Sequence, residues 1–242
     1  MEENLSLNIF VVTGLGKIVS DLFVSALQNQ LDQQFQSAKI YPRFVNANDI
    51  IPILHDGRRI AEMLLHVVLS PDDKLPDILL IPCNSVHIST PQLKLTLDDS
   101  FVPIDYATIS LIERDGRQGR FLILGTSTTV ESSMYQNALR RLGFESVVLP
   151  PRAQASFDDF IFKELVNGEM TASHLHAFRD LESQYMRLLG AEHVILACTE
   201  LCYLVQVFST PLACEVDSLQ ALHNAGIERL QIILRDRSNY AN

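Results

Sequence analysis

Short apolar runs alternate with amphipathic stretches along most of this chain. The apolar runs predict six strands, at residues 8–13, 39–45, 77–82, 120–125, 145–149 and 193–197. Apolar residues spaced three and four positions apart predict six helices, at residues 19–34, 53–69, 130–142, 157–166, 172–189 and 216–234. The face that the first helix should bury consists of Leu22, Phe23, Ala26, Leu27 and Leu31. Strands that alternate with helices form parallel sheets covered on both faces, so an α/β fold is predicted.

The two halves of the chain repeat one order of features. In the first half a strand is followed by the turn Gly14-Leu15-Gly16, a helix, and a later strand that ends at Cys83. In the second half the turn is Gly125-Thr126-Ser127, and the later strand ends at Cys198. This weak repeat predicts two similar parallel-sheet α/β lobes related by pseudo-two-fold symmetry. Ligands of open α/β sheets bind beyond the carboxyl ends of the strands, so the active site is expected in a cleft between the lobes.

A polar, glycine-containing segment at residues 113–119 marks the expected lobe boundary. It divides the chain into an N-terminal lobe, 1–112, that carries Cys83, and a C-terminal lobe, 113–242, that carries Cys198. The spacing leaves open whether the last helix packs back on the first lobe.

Composition narrows the class of protein. The chain has 242 residues, of which 47% are hydrophobic, enough for a large core, and its interspersed 20% of charged residues disfavours disorder. A net charge of −10 argues against non-specific binding to nucleic acid. The first eight residues lack the pattern of a signal peptide, and no apolar run approaches the length of a membrane span. These features predict a soluble, cytoplasmic protein. Its four cysteines do not resemble a disulfide scaffold: Cys83, Cys198, Cys202 and Cys214.

Two short cysteine motifs suggest chemistry. One is Ile-Pro-Cys-Asn-Ser-Val-His, around Cys83, and the other is Leu-Ala-Cys-Thr-Glu-Leu, around Cys198. Each follows an apolar run and continues with small polar residues, a pattern typical of a strand that ends just before a helix. A thiol at such a helix start meets backbone N–H groups and the positive end of the helix dipole, which favour the thiolate.

A pair of thiols suits the inversion of a carbon stereocentre. Removing a proton from a carbon next to a carboxylate needs a base on one face, and inversion needs an acid on the other. One thiolate and one thiol can exchange these roles as the handedness of the substrate changes. Donors to the carboxylate in the enolate-like transition state are offered by the backbone N–H groups after each cysteine, and by Asn84, Ser85 and Thr199.

The motifs together resemble those of the aspartate/glutamate racemase family, whose members need no pyridoxal phosphate. The Cys83 motif resembles the family's PCNTAH stretch, and Ala-Cys-Thr-Glu-Leu resembles its GCTE stretch. The run from Leu124 to Glu131, with Tyr135 and Leu139 after it, is similar to the family's LGT-x-x-T-M segment. Phe-Ile-Phe-Lys-Glu-Leu at 160–165, followed by Gly168, resembles its I-[FY]-x-E-L-x-x-G helix. The resemblance spans most of the chain, in the family's order.

The resemblance implies a racemase of aspartate or glutamate that interconverts L and D enantiomers without a cofactor or metal, in D-amino acid metabolism. It implies that Cys83 and Cys198 form the acid/base pair. The implied substrate-binding or cysteine-tuning residues follow the two cysteines or line the same cleft: Gly14, Asn84, Ser85, Thr126, Thr129, Thr199 and Glu200. The implied partners are a small amino-acid substrate and a second copy of the chain in a homodimer, with no nucleic acid and no membrane.

The chain also departs from the family pattern. Thr13-Gly14-Leu15-Gly16-Lys17 only partly resembles the family's GGMGPLAT loop. The P-D-R-T segment with which some aspartate-specific members bind the distal carboxylate has no match, and Val166 stands at the position of their lysine. Lys17, Arg43 or Lys163 could replace them, so recognition of the second carboxylate stays open.

Alternatives remain at this point. The same scaffold supports hydantoin racemisation, maleate isomerisation and malonate decarboxylation, and a homologue that only binds amino acids is a further possibility. Cys202 and Cys214 are interpreted as small buried hydrophobic residues. His87 either orients the Cys83 turn or is simply satisfied within its helix. His174 and His176 are expected on a solvated surface rather than at a metal.

Overall fold

Two four-stranded parallel sheets form the framework of the protein. The computed structural model describes residues 7–35, 37–69, 75–166 and 169–240, without the side chains of Lys17 and Tyr240. The strands, in chain order, are β1 (Leu7–Thr13), β2 (Ala38–Phe44), β3 (Ile78–Leu80), β4 (Phe101–Val102), β5 (Arg120–Gly125), β6 (Glu145–Val148), β7 (His193–Ala197) and β8 (Glu215–Asp217). One sheet has the order β2-β1-β3-β4 and the other β6-β5-β7-β8, and every pairing is parallel. The predicted α/β class is therefore confirmed, and the two sheets share one topology.

Helices connect and flank these strands. They are α1 (Lys17–Gln34), α2 (Ala47–Ile50), α3 (Gly57–Val68), α4 (Thr90–Leu97), α5 (Ile104–Arg114), α6 (Ser127–Glu131), α7 (Met134–Arg141), α8 (Pro151–Asp159), α9 (Ala172–Leu189), α10 (Thr199–Phe208) and α11 (Ser218–Tyr240). The central strand β3 is fully apolar and buried, as expected for a parallel sheet covered on both faces: Ile78, Leu79 and Leu80 have no exposed side chain. Gly168, part of the motif resemblance, lies outside the described residues.

The contacts divide the chain into two compact units. The first contains the described residues of Met1–Pro82, Ser89–Pro103 and Leu222–Asn242, and the second contains Cys83–Ile88 and Ile104–Ala221. The second unit thus includes the turn that carries Cys83. The division into 1–112 and 113–242 stays a prediction about domains.

The C-terminal part of α11 packs within the first unit. Arg237 donates from Nη2 to Oδ1 of Asp77 at 2.5 Å, and the other carboxylate oxygen of Asp77 accepts from the backbone N–H of Asn8 at 2.8 Å. Gly226 lies so close to Leu80 of β3 that a Cβ would come within 2.9 Å of its side chain. The spacing left the position of this helix open, and these contacts hold it against the first sheet.

The buried face of α1 differs from the predicted one. Leu22 is 44% exposed and Ala26 is also exposed, so their assignment to the core was wrong. The buried side chains instead recur every four residues: Val19, Phe23, Leu27 and Leu31. Two adjacent apolar stripes on one helix satisfy the same spacing rule, and only packing decides which of them turns inward.

Two predicted helices are interrupted. The helix predicted at 130–142 is two short helices, α6 and α7, because Ser133 adopts a left-handed conformation with φ of 57° between them. The helix predicted at 157–166 begins earlier, at Pro151, and continues from α8 into a π-helix, Phe160–Val166. Proline at the first position of a helix is pre-organised for it, which explains the earlier start.

Candidate active site

Cys198 lies where β7 passes into α10. The strand ends at Ala197, and Cys198 itself is the N-cap of the helix, with extended backbone angles of −147° and 127°. Its side chain is 4% exposed. The strand end and helix start predicted around this cysteine are therefore confirmed. The backbone N–H groups of Glu200 and Leu201 act to lower the pKa of this thiol.

Burial and the Glu200 carboxylate together reverse the expected ionisation of this thiol. Cys198 donates from Sγ to Oε2 of Glu200 at 3.2 Å, and Thr199 donates from Oγ1 to the same oxygen at 3.2 Å. Burial and the negative charge of Glu200 together raise the pKa of Cys198 well above its usual value, despite the two backbone donors. The backbone N–H groups act in the expected direction, but desolvation and one carboxylate outweigh them, so the net shift disfavours the thiolate.

Cys83 follows β3 by a different route. The strand ends at Leu80, and a 3-10 helix, Ser85–Ser89, begins two residues after the cysteine. Burial raises the pKa of the Cys83 thiol to about 12, the charge of Glu200 adds to the rise, and the N–H groups of Val86 and Ser85 oppose it. The charge of the same carboxylate therefore acts on both thiols, and both are protonated at neutral pH.

His87 holds the backbone of the Cys83 turn. Its Nδ1 lies 2.8 Å from the carbonyl oxygen of Cys83, and its side chain is 2% exposed. Burial lowers the pKa of His87 to about 4, against the smaller, opposite effect of the Cys83 carbonyl. The imidazole is therefore neutral at physiological pH, and Nδ1 donates to the carbonyl. Of the two roles left open for His87, the structure favours orientation of the Cys83 turn.

Three hydroxyl groups cluster beside this turn. Ser85 Oγ lies 2.8 Å from Thr126 Oγ1 and 3.3 Å from Thr129 Oγ1, and the two threonine oxygens lie 3.2 Å apart. Thr126 is the N-cap of α6 and accepts from the N–H of Thr129. A hydroxyl can rotate its proton toward whatever acceptor is present, so this hydroxyl cluster can donate several hydrogen bonds to an anion.

A glutamine and an aspartate on α8 brace the strand end that carries the hydroxyl cluster. Gln154 donates from Nε2 to the carbonyl of Gly125 at 2.9 Å and to Oδ1 of Asp158 at 3.0 Å. The Asp158 carboxylate also accepts from the backbone N–H of Ser127, at 2.9 Å, and from its hydroxyl. Sequence reasoning missed both α8 residues, because their role depends on a contact between α8 and the end of β5 that no local pattern reveals.

Asn84 uses both ends of its amide within the protein. It accepts at Oδ1 from the hydroxyl of Tyr135 at 2.6 Å and donates from Nδ2 to Oγ of Ser218 at 3.0 Å. All three side chains are buried. The sequence indicated Tyr135 only through its place in a family motif, and no sequence pattern indicated a role for Ser218.

Gly14 lies in the other unit, directly after β1. Its φ is 92°, and a Cβ at this position would overlap the carbonyl oxygen of Val45 and the ring of Phe44. Glycine is therefore required here by the backbone of the first unit itself. Its role toward a substrate stays a prediction.

The remaining candidates are placed as follows. All four cysteines are free; Cys202 is buried, as predicted, whereas Cys214 is only partly buried. Lys163 is exposed and pairs with Asp159 on the surface, and the guanidinium of Arg43 stacks over the ring of Phe10 at 3.9 Å. Among the described residues, no group of His, Cys, Asp and Glu side chains has the arrangement of a metal site, and no helix is long and apolar enough to cross a membrane.

Several solved structures have a fold similar to that of this protein. A Yersinia pestis protein provisionally described as an Asp/Glu racemase aligns with a TM-score of 0.75 and 20% identity, covering 93% of this chain and 99% of its own. An aspartate racemase homologue from Pyrococcus horikoshii aligns with a TM-score of 0.69 and 21% identity, over 91% and 97% of the two chains. The glutamate racemase of Francisella tularensis, solved in complex with D-glutamate, aligns with a TM-score of 0.65 and 15% identity, covering 97% of this chain and 83% of its own. Identities this low show similarity of fold alone.

The sequence itself matches a family. No curated protein matches the chain. The Asp/Glu/hydantoin racemase family, however, matches residues 18–225, which is most of its length. The protein therefore belongs to the Asp/Glu/hydantoin racemase family, and this membership supports racemase, and hence isomerase, activity.

Proposed function

We propose that the protein is a cofactor-independent racemase of aspartate, glutamate or both, in which Cys83 and Cys198 are the two acid/base groups. One observation supports this assignment most directly. Each thiol follows the third strand of its sheet order, and the charge of one buried carboxylate, Glu200, raises the pKa of both. Two thiols within the field of one carboxylate can lie around a single small substrate.

In the proposed mechanism the two thiols exchange one proton each with the α-carbon. In one direction the first cysteine, as thiolate, removes the α-proton and becomes a thiol. The carbanion then takes a proton from the second cysteine on the opposite face, which leaves that cysteine as thiolate. The reverse reaction uses the same steps with the roles exchanged. A high thiol pKa makes the corresponding thiolate a stronger base, which suits so weak a carbon acid.

Glu200 is proposed to supply and receive the proton of Cys198. Its Oε2 accepts the hydrogen bond from the thiol, so transfer of that proton to the carboxylate leaves a thiolate ready for reaction. The α-ammonium group of an entering amino acid would add a positive charge nearby. Such a charge lowers the pKa of both thiols and opposes the effect of Glu200, so substrate binding itself would promote ionisation.

The substrate carboxylate is assigned to the hydroxyl cluster. Ser85, Thr126 and Thr129 offer three rotatable donors within 3.3 Å of one another. Donors placed there would stabilise the additional negative charge of the enolate-like transition state. Thr199 donates to Glu200, so we assign its hydroxyl to tuning that carboxylate beside Cys198. Because the Asn84 amide is bound at both ends, we assign it to positioning rather than to direct contact. Gly14 is kept as a proposed substrate-binding residue on the family resemblance.

The biological setting is proposed on the family resemblance. We expect a homodimer in the cytoplasm that acts in D-amino acid metabolism, without metal or cofactor. Light scattering coupled to size exclusion would test the dimer directly. Hydantoin racemisation is the second candidate function, because the family that matches this chain includes hydantoin racemases.

Exchange of the α-proton in deuterated water tests the proposed function. L- and D-aspartate, L- and D-glutamate and a 5-substituted hydantoin would each be incubated with the wild-type protein and followed by NMR and chiral chromatography. Exchange with inversion of aspartate or glutamate is the expected result and ranks the two substrates. Exchange of the hydantoin alone would move the assignment to the second candidate. Absence of exchange with all five compounds would contradict both and favour a protein that only binds its ligand.

A further inference from the structure

A buried chain of hydrogen bonds crosses the second unit beneath the cysteine turns. The Tyr135 hydroxyl donates to Oδ1 of Asn84 at 2.6 Å, Asn84 donates from Nδ2 to Oγ of Ser218 at 3.0 Å, and Ser218 donates to the carbonyl oxygen of Leu196 at 2.7 Å. Tyr135 and Ser218 have no exposed surface, and Asn84 is 3% exposed. We call these four linked groups the tyrosine–serine relay.

The donors in this relay all point the same way. The Ser218 hydroxyl has one proton, which it donates to Leu196, so it can only accept from Asn84. The amide of Asn84 must then present its nitrogen to Ser218 and its oxygen to Tyr135. A flipped amide would place its oxygen against the Ser218 oxygen, acceptor against acceptor, and a buried group left unsatisfied in this way costs about 1–3 kcal/mol. The relay therefore admits one orientation of the Asn84 side chain.

The two ends of the relay are attached to the two cysteine-bearing segments. Asn84 directly follows Cys83, and Leu196 lies in β7 two residues before Cys198. Cys202 supports the far end, because its thiol donates to the same Leu196 carbonyl at 3.4 Å and lies 3.7 Å from Ser218 Oγ. The relay thus ties the Cys83 turn to the strand that presents Cys198.

We propose that Tyr135 and Ser218 are positioning residues that hold the Cys83 thiol at a fixed separation from Cys198, with Asn84 as the link. The role rests on the proposed two-thiol reaction, in which both thiols must meet one α-carbon from opposite sides. Proton transfer falls steeply as its partners move apart, so a small displacement of one turn slows the reaction in both directions. Neither side chain is assigned to contact the substrate, so variants of these residues should bind the substrate with unchanged affinity.

The test compares Tyr135→Phe and Ser218→Ala with the wild type, and uses Tyr185→Phe on α9 as the matched control. Tyr135→Phe deletes a single oxygen and keeps the ring in its core position. The first readout needs no substrate: the rate at which iodoacetamide alkylates Cys83 between pH 7 and pH 11, measured by peptide mass spectrometry, with Cys214 as internal reference. A loosened turn should admit water, lower the pKa of Cys83 from about 12, and raise its alkylation rate at pH 9 at least several-fold.

The second readout is steady-state racemisation. Both relay variants should lose about tenfold or more in kcat in each direction while KM stays within about twofold, and Tyr185→Phe should match the wild type. Unchanged alkylation of Cys83 in both variants, with circular dichroism confirming that they fold, would overturn the proposal. So would a rise in KM with kcat preserved. If the alkylation rate changes but the wild type racemises no substrate, the relay still fixes the Cys83 turn, and it is the proposed function that fails.

Discussion

The two cysteine turns follow corresponding strands, β3 and β7, yet their surroundings differ. Cys198 caps an α-helix and donates to the Glu200 carboxylate two positions later. At the corresponding position after Cys83 the chain has Ser85, whose hydroxyl joins the hydroxyl cluster, and a 3-10 helix follows. The repeated topology places two thiols alike, whereas the side chains after each thiol give one turn a carboxylate that accepts from the thiol and the other a hydroxyl that we propose binds the substrate carboxylate.

Removing the Glu200 charge should have the largest effect on this comparison. In Glu200→Gln the pKa of both thiols should fall, and that of Cys198 should fall further because it is hydrogen-bonded to the carboxylate. Alkylation at pH 8 should accelerate for both cysteines, more for Cys198, while kcat drops about 100-fold or more because the proton acceptor is lost. Glu113→Gln, a change of an exposed glutamate on α5, is the control. An equal rise in the alkylation rates of Cys83 and Cys198 would contradict the electrostatic difference between the two turns.

Changes to the two turns' hydroxyls should separate binding from catalysis. Ser85→Ala removes a proposed carboxylate donor worth about 1.4 kcal/mol, so KM should rise about tenfold, equally for both enantiomers. Ser85→Thr, the residue in the family motif, keeps the hydroxyl and should stay near the wild type. Thr199→Val removes a hydrogen bond to Glu200 and should lower kcat more than it raises KM. Steady-state kinetics with each enantiomer measures both, and the reverse pattern would exchange the assigned roles.

Replacing His87 should have the smallest effect of these changes at neutral pH, but it should alter stability measurably at acid pH. Its pKa is lowered from 6.5 to about 4 in the folded state, so the neutral ring is favoured there. Its contribution to stability is therefore complete above pH 6.5 and is lost as the pH falls toward 4, by up to about 3 kcal/mol. His87→Asn can keep the bond to the Cys83 carbonyl and should flatten this loss, whereas His176→Asn on the exposed side of α9 should not. Urea unfolding at pH 4.5 and pH 7.5 measures the difference, and parallel curves for the two variants would contradict it.

Much of the framework was predictable because it depends on local pattern. The strands β1, β5 and β7 follow from apolar runs, and α9 agrees with its prediction at both ends, since a glycine at position 190 in the left-handed conformation stops it. The strand β4 has only two residues and β8 is polar at both ends, so neither produces an apolar run. Their existence depends on pairing with β3 and β7, which is a tertiary property.

The candidate residues of the site follow in part from the sequence, whereas their electrostatics do not. The positions of Cys83, Cys198 and the hydroxyl-bearing residues follow from strand ends and motifs. The direction of the thiol pKa shifts does not, because it depends on how deeply each sulfur is buried and on the distance to Glu200. The relay was equally hidden: Tyr135, Asn84 and Ser218 are far apart in sequence and meet only after folding.

Exchange catalysed by single-thiol variants tests the central claim most directly. Cys83→Ala and Cys198→Ala would each be incubated in deuterated water with the L and the D enantiomer of the better substrate, and α-deuterium and configuration would be measured. With one thiol on each face, each variant should exchange the α-proton of one enantiomer only, without inversion, and the two variants should select opposite enantiomers. Exchange of the same enantiomer by both variants, or continued racemisation by either, would contradict a reaction carried by Cys83 and Cys198.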